Sequence, residues 1–466
     1  MAFINQIYSL VNDAASQVLG KEAPKANTTT GLVDLGSALT DKQLVDHFYH
    51  ELVNRIYRTR YMVRSKARKD RKVLRDTTEY GAYTQRVYYE LPSAVANQTY
   101  TIPQLDGGGN IDTYNQSNPY SINQTVAISS MIFGTKGTWS IEVIRPVEQI
   151  KMAFLSASEM AGFIDGIYIT IDNAMKVQEE AIEAAAINTG IAQAVAAGRG
   201  RNVLGEYNIL HSGSPLASVE AANESADFHR YVVREILKTK SQLNDMSVKF
   251  NAAGYATYTS DDNMVIELLN EFASNNAIYL QSDTFHNELV SLKNYDTVNY
   301  WQALGDTKFD DTSKIIVTNA GINSGNAVTV NGVIANIRDI EAVAAHFDNI
   351  RRYEKFNERS EVMIDMLKAD RGYAVDDHMN NVVFYMEIPG EITKDASDAH
   401  VTSIATSKPV VDAFQPIQIT AVFGTGYTYN AVTVNGTAIT PNSDGEYWYT
   451  PTSAIDITIV VTSKSA

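Results

Sequence analysis

One long helical pattern constrains this chain more than any other feature. From Ser156 to Asn188, the residues Ala157, Met160, Ala161, Ile164, Ile167, Tyr168, Ile171, Ala174, Met175, Gln178, Ala181, Ile182 and Ala185 recur at steps of three and four. That is the period of one buried helix face. Ser156 and Glu159 have capping-box spacing at its start, and Gly190 is the expected stop. At 1.5 Å per residue the helix runs on the order of 50 Å, against a usual length of about 11–12 residues. It follows an extended, Tyr-rich, Gly-tipped segment, an order suited to a chain that interlocks with copies of itself. A long helix within a bundle is the plainer alternative.

A length of 466 residues has room for roughly two to four domains and a sizeable core. No apolar run approaches a membrane span; Ile455 to Val461 suits a strand instead. Phe3, Ile7, Leu10, Val11 and Val18 are scattered as on a helix, so the first residues do not read as a signal peptide. The absence of cysteine removes disulfides, thiolate catalysis and cysteine metal sites, and points to a protein that forms in a cytoplasm. Tyrosine outnumbers tryptophan 26 to 3, and its apolar ring with a polar tip suits surfaces that meet both each other and water.

A net charge of −16 argues against a general nucleic-acid binder, but the average hides a concentration. Arg55, Arg58, Arg60, Arg64, Lys66, Arg68, Lys69, Arg71, Lys72 and Arg75 lie within one short segment, opposed only by Asp70. The rest of the chain carries 28 basic and 53 acidic residues. Such an arm suits docking on the acidic body of an identical neighbour, or contact with a polyanion. A solvated basic helix face is the plainer reading.

Along the chain, residues 1 to about 40 read as a short amphipathic helix and then a polar linker, Lys21 to Gly36. A second helix starts at Thr40, with Leu44, Val45, Phe48, Leu52 and Ile56 on its apolar side. From Thr77 to Arg145 the helical period gives way to β-rich runs that include Tyr80, Tyr83, Tyr88 and Tyr89, with Gly107, Gly108 and Gly109 at the tip of a long excursion. So polar a segment needs another surface to pack on. Ala194 to Glu224 reads as loose, Ser225 to Met246 as a helix, and Asp261-Asp262 as the cap of a helix through Met264, Leu268, Leu269 and Phe272. Lys314–Asn319 and Val328–Ile337 read as strands, the second carrying an Asn331-Gly332 turn. Two further strands flank a loop at Lys368 to Asn380. After Pro389-Gly390, residues 391–415 read as a linker. The last fifty residues are all β: Ile417–Phe423, Tyr427–Val434, Tyr447–Tyr449 and Ile455–Val461, with hairpin turns at Asn435-Gly436 and Asp444-Gly445.

Nothing in the sequence assembles into catalysis. His47 and His50 are three apart but lack HExxH or an acidic third ligand. Asp376-Asp377-His378 is the densest group of potential ligands, yet in an extended segment adjacent side chains point opposite ways and do not chelate. Ser212 to Ser214 lacks the strand–helix context of a nucleophile elbow, and Gly107 to Gly109 is no phosphate-binding loop. Glu179 and Glu180 diverge around their helix. The reading is therefore of a non-enzyme, with no catalytic residue, cofactor or metal.

The order of these parts resembles the major capsid proteins of tailed bacteriophages, the HK97-like fold, especially those of phi29-type podoviruses. The likeness lies in Trp139–Ile182 (WSIEVIRPVEQIKMAFLSASEMAGFIDGIYITIDNAMKVQEEAI), with its strand, Lys-x-Ala-Phe phrase and spine helix. It also lies in Val333–Met386, read as an Asp-containing strand, a helix-to-strand crossing through Tyr353 and Phe356, and a closing NVVFYM strand. The resemblance implies an α+β capsid fold with an N-terminal arm (1–76), an E-loop (77–145), a peripheral domain (146–250 and 346–390), an axial domain (251–345), a linker (391–415) and a C-terminal immunoglobulin-like domain (416–466). It implies self-assembly into hexamers and pentamers of an icosahedral head around double-stranded DNA, in the cytoplasm of a bacterial host. Scaffolding, portal and decoration proteins are possible further partners, and no membrane is involved. The ten basic residues would serve assembly or face DNA. Tyr80, Tyr83, Tyr88, Tyr89 and Gly107–Gly109 would contact neighbouring subunits. An encapsulin-like cage, a surface adhesin and a hydrolase are the other classes. A cargo enzyme, export with tandem repeats, or convergent buried carboxylates would respectively favour them.

Overall fold

The structure, a computed structural model, describes residues 2–20, 24–39, 44–45, 47–48, 51–52, 71–73, 84–89, 128–133, 137–146, 157–281, 295–302, 311–318 and 327–465. Helix α1 (Ala2–Leu19) buries Val11, Ala14 and Ala15. The Asn12 side chain then fastens the returning chain, accepting from the Ala26 N–H at 2.6 Å. Helix α2 (Thr29–Ala38) occupies much of the stretch read as a polar linker and runs past its end, N-capped by Thr28. Leu32, Leu35 and Leu39 give it one apolar face that the surrounding Thr and Gly disguise. Residues 44–45, 47–48 and 51–52 are helical, and Val45, Phe48 and Leu52 are buried as their spacing predicts. These helices share a core with Val143, Met175, Met363 and Leu367.

Strands β1 (Thr84–Tyr89) and β2 (Ile128–Phe133) pair antiparallel, followed by β3 (Gly137–Pro146). The spine helix α3 spans Ala157–Ala196, so it passes the expected stop at Gly190. Glycine is there for room: a Cβ would stand 3.0 Å from a Val343 methyl and 3.3 Å from Asn381 Nδ2. The Asn381 amide also donates to the Gly190 carbonyl at 3.0 Å. The helix ends instead at Gly198, whose φ of 76° suits only glycine comfortably. Beyond it the stretch read as loose is ordered into β4 (Gly200–Asn202), α4 (Val203–Leu210) and α5 (Val219–Asn223). Helix α6 (Ala226–Leu243) follows, capped by Ser225 as expected.

Strand β5 (Met264–Leu269) replaces the helix expected there, and helix α7 (Asn270–Gln281) starts only after it. All six strand residues are buried, because β5 lies inside a sheet covered on both faces; such strands read as continuous apolar runs. Asp261–Asn263 form a single 3-10 turn before it. Then come β6 (Asp296–Val298), β7 (Ile315–Val317), β8 (Val328–Val330), β9 (Val333–Asp339), β10 (Val343–Asn357), β11 (Val362–Val375) and β12 (Asn381–Tyr385). Asn331-Gly332 is a corner, not a hairpin turn: β8 pairs with β7, while β9 lies between β12 and β5. Tyr353 and Phe356 sit on β10, so the expected helix-to-strand crossing is strand throughout. The loop expected at 368–380 is mostly β11 and shrinks to a turn after Val375. Two sheets organise this body, β10-β11-β3 and β4-β12-β9-β5-β6.

The expected linker is also strand: β13 (Gly390–Asp395), β14 (Val401–Thr406) and β15 (Val410–Val411). They join β16 (Ile417–Phe423), β17 (Tyr427–Val434), β18 (Thr437–Ile439), β19 (Tyr447–Tyr449) and β20 (Ile457–Ser465) in two sheets, β15-β13-β20-β17-β18 and β14-β16-β19. Ile417, Ile419, Val432, Val434, Ile457, Ile459 and Val461 are buried in the core of this unit. Asn435 and Gly436, at φ 47° and 78°, make the β17–β18 hairpin turn that their sequence predicts. The described residues thus form a mixed α+β chain. None of their helices is long and apolar enough to cross a membrane.

Candidate functional site

Two places where N-terminal segments meet the body are built from buried charge. The first holds residues 71–73. The Arg71 guanidinium donates twice to Glu267 Oε1, at 3.0 and 2.8 Å. Glu267 is buried within β5, and the equally buried Arg338 on β9 approaches its other oxygen at 3.6 Å while donating to the Arg71 carbonyl at 2.8 Å. Burial alone would raise the Glu267 pKa; the charges of Arg71 and Arg338 outweigh it and hold the carboxyl below its usual range. Val73 then enters the main core, and its carbonyl accepts from the Ala345 N–H. Between the two anchors Lys72 is exposed, with φ 57°.

The second clasps β1. Asp376 Oδ2 accepts from Arg86 at 2.8 Å and from the Tyr88 hydroxyl at 2.5 Å. Arg86 also reaches the Glu341 carboxylate. Tyr88 stacks on the His378 imidazole at 4.0 Å, with Tyr255 edge-on to both rings. The Tyr255 hydroxyl donates to the Tyr89 carbonyl at 2.8 Å. Burial, then the hydrogen bond and charge of Asp376, push the Tyr88 phenol far above its ordinary pKa. Burial works against the Arg86 charge, but Asp376 and Glu341 more than restore it.

Asp376-Asp377-His378 is a turn rather than the extended run expected, and its three donor atoms converge within 4.8 Å. It does not read as a cation site, since a guanidinium and a phenol already engage Asp376. A third seam joins the C-terminal strands to the body. Asn202 donates to Asp412 at 2.7 Å and to the Glu387 carbonyl at 2.8 Å, and Gln415 donates to the Gly198 and Gly200 carbonyls. Ala413 and Phe414 are buried in the body's own core. Close by, Glu220, Glu271, Asp311 and Glu387 line a cavity of about 530 Å³.

Of the singled-out residues, Arg71 is an anchor in its own body, Lys72 is exposed, Tyr88 is buried in its own chain at 5% exposure, and Tyr89 stands out at 61%. Arg55, Arg58, Arg60, Arg64, Lys66, Arg68, Lys69, Arg75, Tyr80, Tyr83 and Gly107–Gly109 lie outside the described residues. His47 is exposed. Glu267 and Arg338 escaped the sequence reading. Their signal was charge within apolar strand runs: Glu267 alone in MVIELL, and Arg338 beside Asp339 at the end of VIANIRD.

A family model described as Phi29-like phage major capsid protein matches residues 9–385. No curated protein sequence matches the chain. Among solved structures, the capsid of Staphylococcus phage Andhra is similar at 9% identity and a TM-score of 0.42, over 68% of this chain and 83% of that one. The capsid of cyanophage P-SCSP1u is similar at 11% identity and a TM-score of 0.39, over 68% and 87%.

Proposed function

Because the chain belongs to the Phi29-like phage major capsid protein family, and so is a capsid shell subunit, we propose that it builds the hexamers and pentamers of an icosahedral head around double-stranded DNA, on an HK97-like fold. The family match over residues 9–385 carries this reading. In it, residues 1–76 are the N-terminal arm, 77–145 the E-loop, 146–250 and 346–390 the peripheral domain and 251–345 the axial domain. The C-terminal unit is immunoglobulin-like and starts at β13 instead of at 416. Tyr89, Tyr80, Tyr83 and Gly107–Gly109 meet neighbouring subunits. The basic run serves assembly or faces DNA through Arg55 to Lys69, Lys72 and Arg75, leaving Arg71 to its anchor. Segments that fold only on a neighbour gain stability from burial there, and heterologous contacts that close make shells.

Expression of the full chain, alone and with a candidate scaffolding protein, followed by negative-stain electron microscopy and light scattering, tests the proposal. Closed shells, tubes or capsomer rings are expected, and a monodisperse monomer in both conditions overturns it. Protein cargo in place of DNA would convert the reading to an encapsulin-like cage. Arg64→Glu with Arg68→Glu, leaving Arg71 in place, should block assembly or DNA retention without unfolding the subunit. Full particles of normal yield would remove the basic run from both roles.

A further inference from the structure

Two surfaces of the subunit carry opposite charge surpluses. The first is the outward face of α6. Glu235, buried on that helix, already accepts from Arg201 at 2.9 Å. Arg234 at 3.2 Å and Lys238 at 3.4 Å share the same carboxylate from outside, with side chains 65% and 57% exposed. Three cations thus crowd one carboxylate, and only Arg201 among them also reaches Glu206. Leu237 stands out beside them at 37% exposure.

The second surface is the cavity of about 530 Å³ at α5 and the start of α7. Glu220, Glu271, Asp311 and Glu387 bring carboxylates to it, Leu269 and Phe272 an apolar wall, and no Lys, Arg or His is among the described residues that line it. The Asn223 amide oxygen, on the same lining, is shut off from water and has no hydrogen-bond partner among the described residues. Burial raises the Glu387 pKa; Asn331 donates to it at 3.1 Å, and no cation among the described residues offsets the rise. Acceptors and negative charge around an apolar wall are the complement of a guanidinium or ammonium on an aliphatic stem.

Arg234 lies on the order of 12 Å along α6 from its first residue, bonded to Glu235 and not to the cavity of its own chain. A basic face alone would suit any polyanion, but a polyanion leaves the acidic cavity unmatched. A second copy of the chain matches both surfaces at once. Because the two surfaces differ, such a contact is heterologous, the kind that closes into rings.

We propose that the outward face of α6 is an intersubunit surface: Arg234 and Lys238 of one copy seat in the acidic cavity of a second copy, with Leu237 against its apolar wall. An arginine filling a pocket is a common anchor of protein contacts. The inference rests on the reading of the chain as a self-assembling shell subunit.

Charge reversal with rescue tests it in the full chain, assembled with the candidate scaffolding protein and counted as closed particles by negative-stain electron microscopy. Glu220→Lys with Glu271→Lys, and separately Arg234→Glu with Lys238→Glu, should each lower the particle yield roughly ten-fold or more. All four substitutions in one chain should restore it, because every contact is then reversed on both sides. Native yield from either pair overturns the proposal; native yield of particles without nucleic acid from the Arg234→Glu, Lys238→Glu chain would give the α6 face to a polyanion instead. The chain contains no cysteine, so a disulfide trap decides where a reversed chain misfolds or the combined chain fails to recover. Glu271→Cys and Lys238→Cys chains, mixed at high concentration and oxidised, should give the mixed disulfide-linked dimer well beyond its statistical share. A statistical mixture, or no dimer, overturns the contact. A native chain that forms no particles while the mixed disulfide still appears would overturn the shell reading and leave the contact standing.

Discussion

Glu267 receives two guanidinium groups at once, one from its own sheet and one from the N-terminal segment. Glu267→Gln would leave Arg71 and Arg338 facing each other in a buried site, a change of the kind that costs about 3–5 kcal/mol. Arg71→Met should cost far less, on the order of 1 kcal/mol, because Arg338 still faces the carboxylate and the methionine fills the stem's space. Denaturant unfolding of both variants and the double variant checks this, with strong coupling expected between the two positions. Lys72 holds a left-handed backbone, a conformation that favours glycine by about 1 kcal/mol, so Lys72→Gly should be the more stable of the pair Lys72→Gly and Lys72→Ala in the same assay. The sequence showed ten basic residues as one arm. What separated Arg71 from the rest was an acid in a distant strand, and sequence order gives no view of that pairing.

The strand β12 and the segment after it gather several separate features. Gly332, at φ 65°, turns beside Met386 so closely that a Cβ would run into the Met386 carbonyl. Gly332→Ala should therefore destabilise by about 2 kcal/mol or more in thermal unfolding, combining a strained backbone with an unrelieved collision. At the seam, burial raises the carboxyl pKa of both Glu387 and Asp412. Raised carboxyl pKa values mean that the folded state binds more protons, so this contribution is present at low pH and lost as pH rises through the folded-state values. Native chain compared with Asp412→Asn plus Glu387→Gln should then show a stability difference that moves in the variant's favour as pH rises from 5 to 7.5. A difference independent of pH would remove both groups from the balance. Periodicity located the last strands well, since they have one buried and one wet face; it found α3 but stopped it short, because from Ala181 onward the helix has no exposed residue. It misread β5, buried on both faces, and it missed α2 and β13–β15, whose apolar residues are few and sit among Ser, Thr and Gly.

At the scale of the whole molecule, residues 391–466 have a core of their own but are joined to the body by more than a bare tether. A composition poor in apolar residues makes 391–415 look like a tether, but Ala413 and Phe414 are buried in the main core, Gln415 donates to the Gly198 and Gly200 carbonyls just past α3, and Asp412 accepts from Asn202, the cap of α4. Phe414 does this with a φ of 59° and its N–H on the Pro451 carbonyl, so the plug is shaped by the C-terminal strands themselves. Phe414→Ala in the full chain should cost about 3 kcal/mol or more in denaturant unfolding, through the cavity it leaves. Deleting 390–466 removes the same plug and also uncovers the apolar surface beneath it. That chain should aggregate or give no closed particles, whereas a unit that only decorates the surface could be lost without effect. Electron microscopy of the truncated chain separates the cases: closed shells of native size would make the C-terminal unit dispensable, and their absence alongside a weakened but folded Phe414→Ala variant would make the seam part of what lets the subunit assemble.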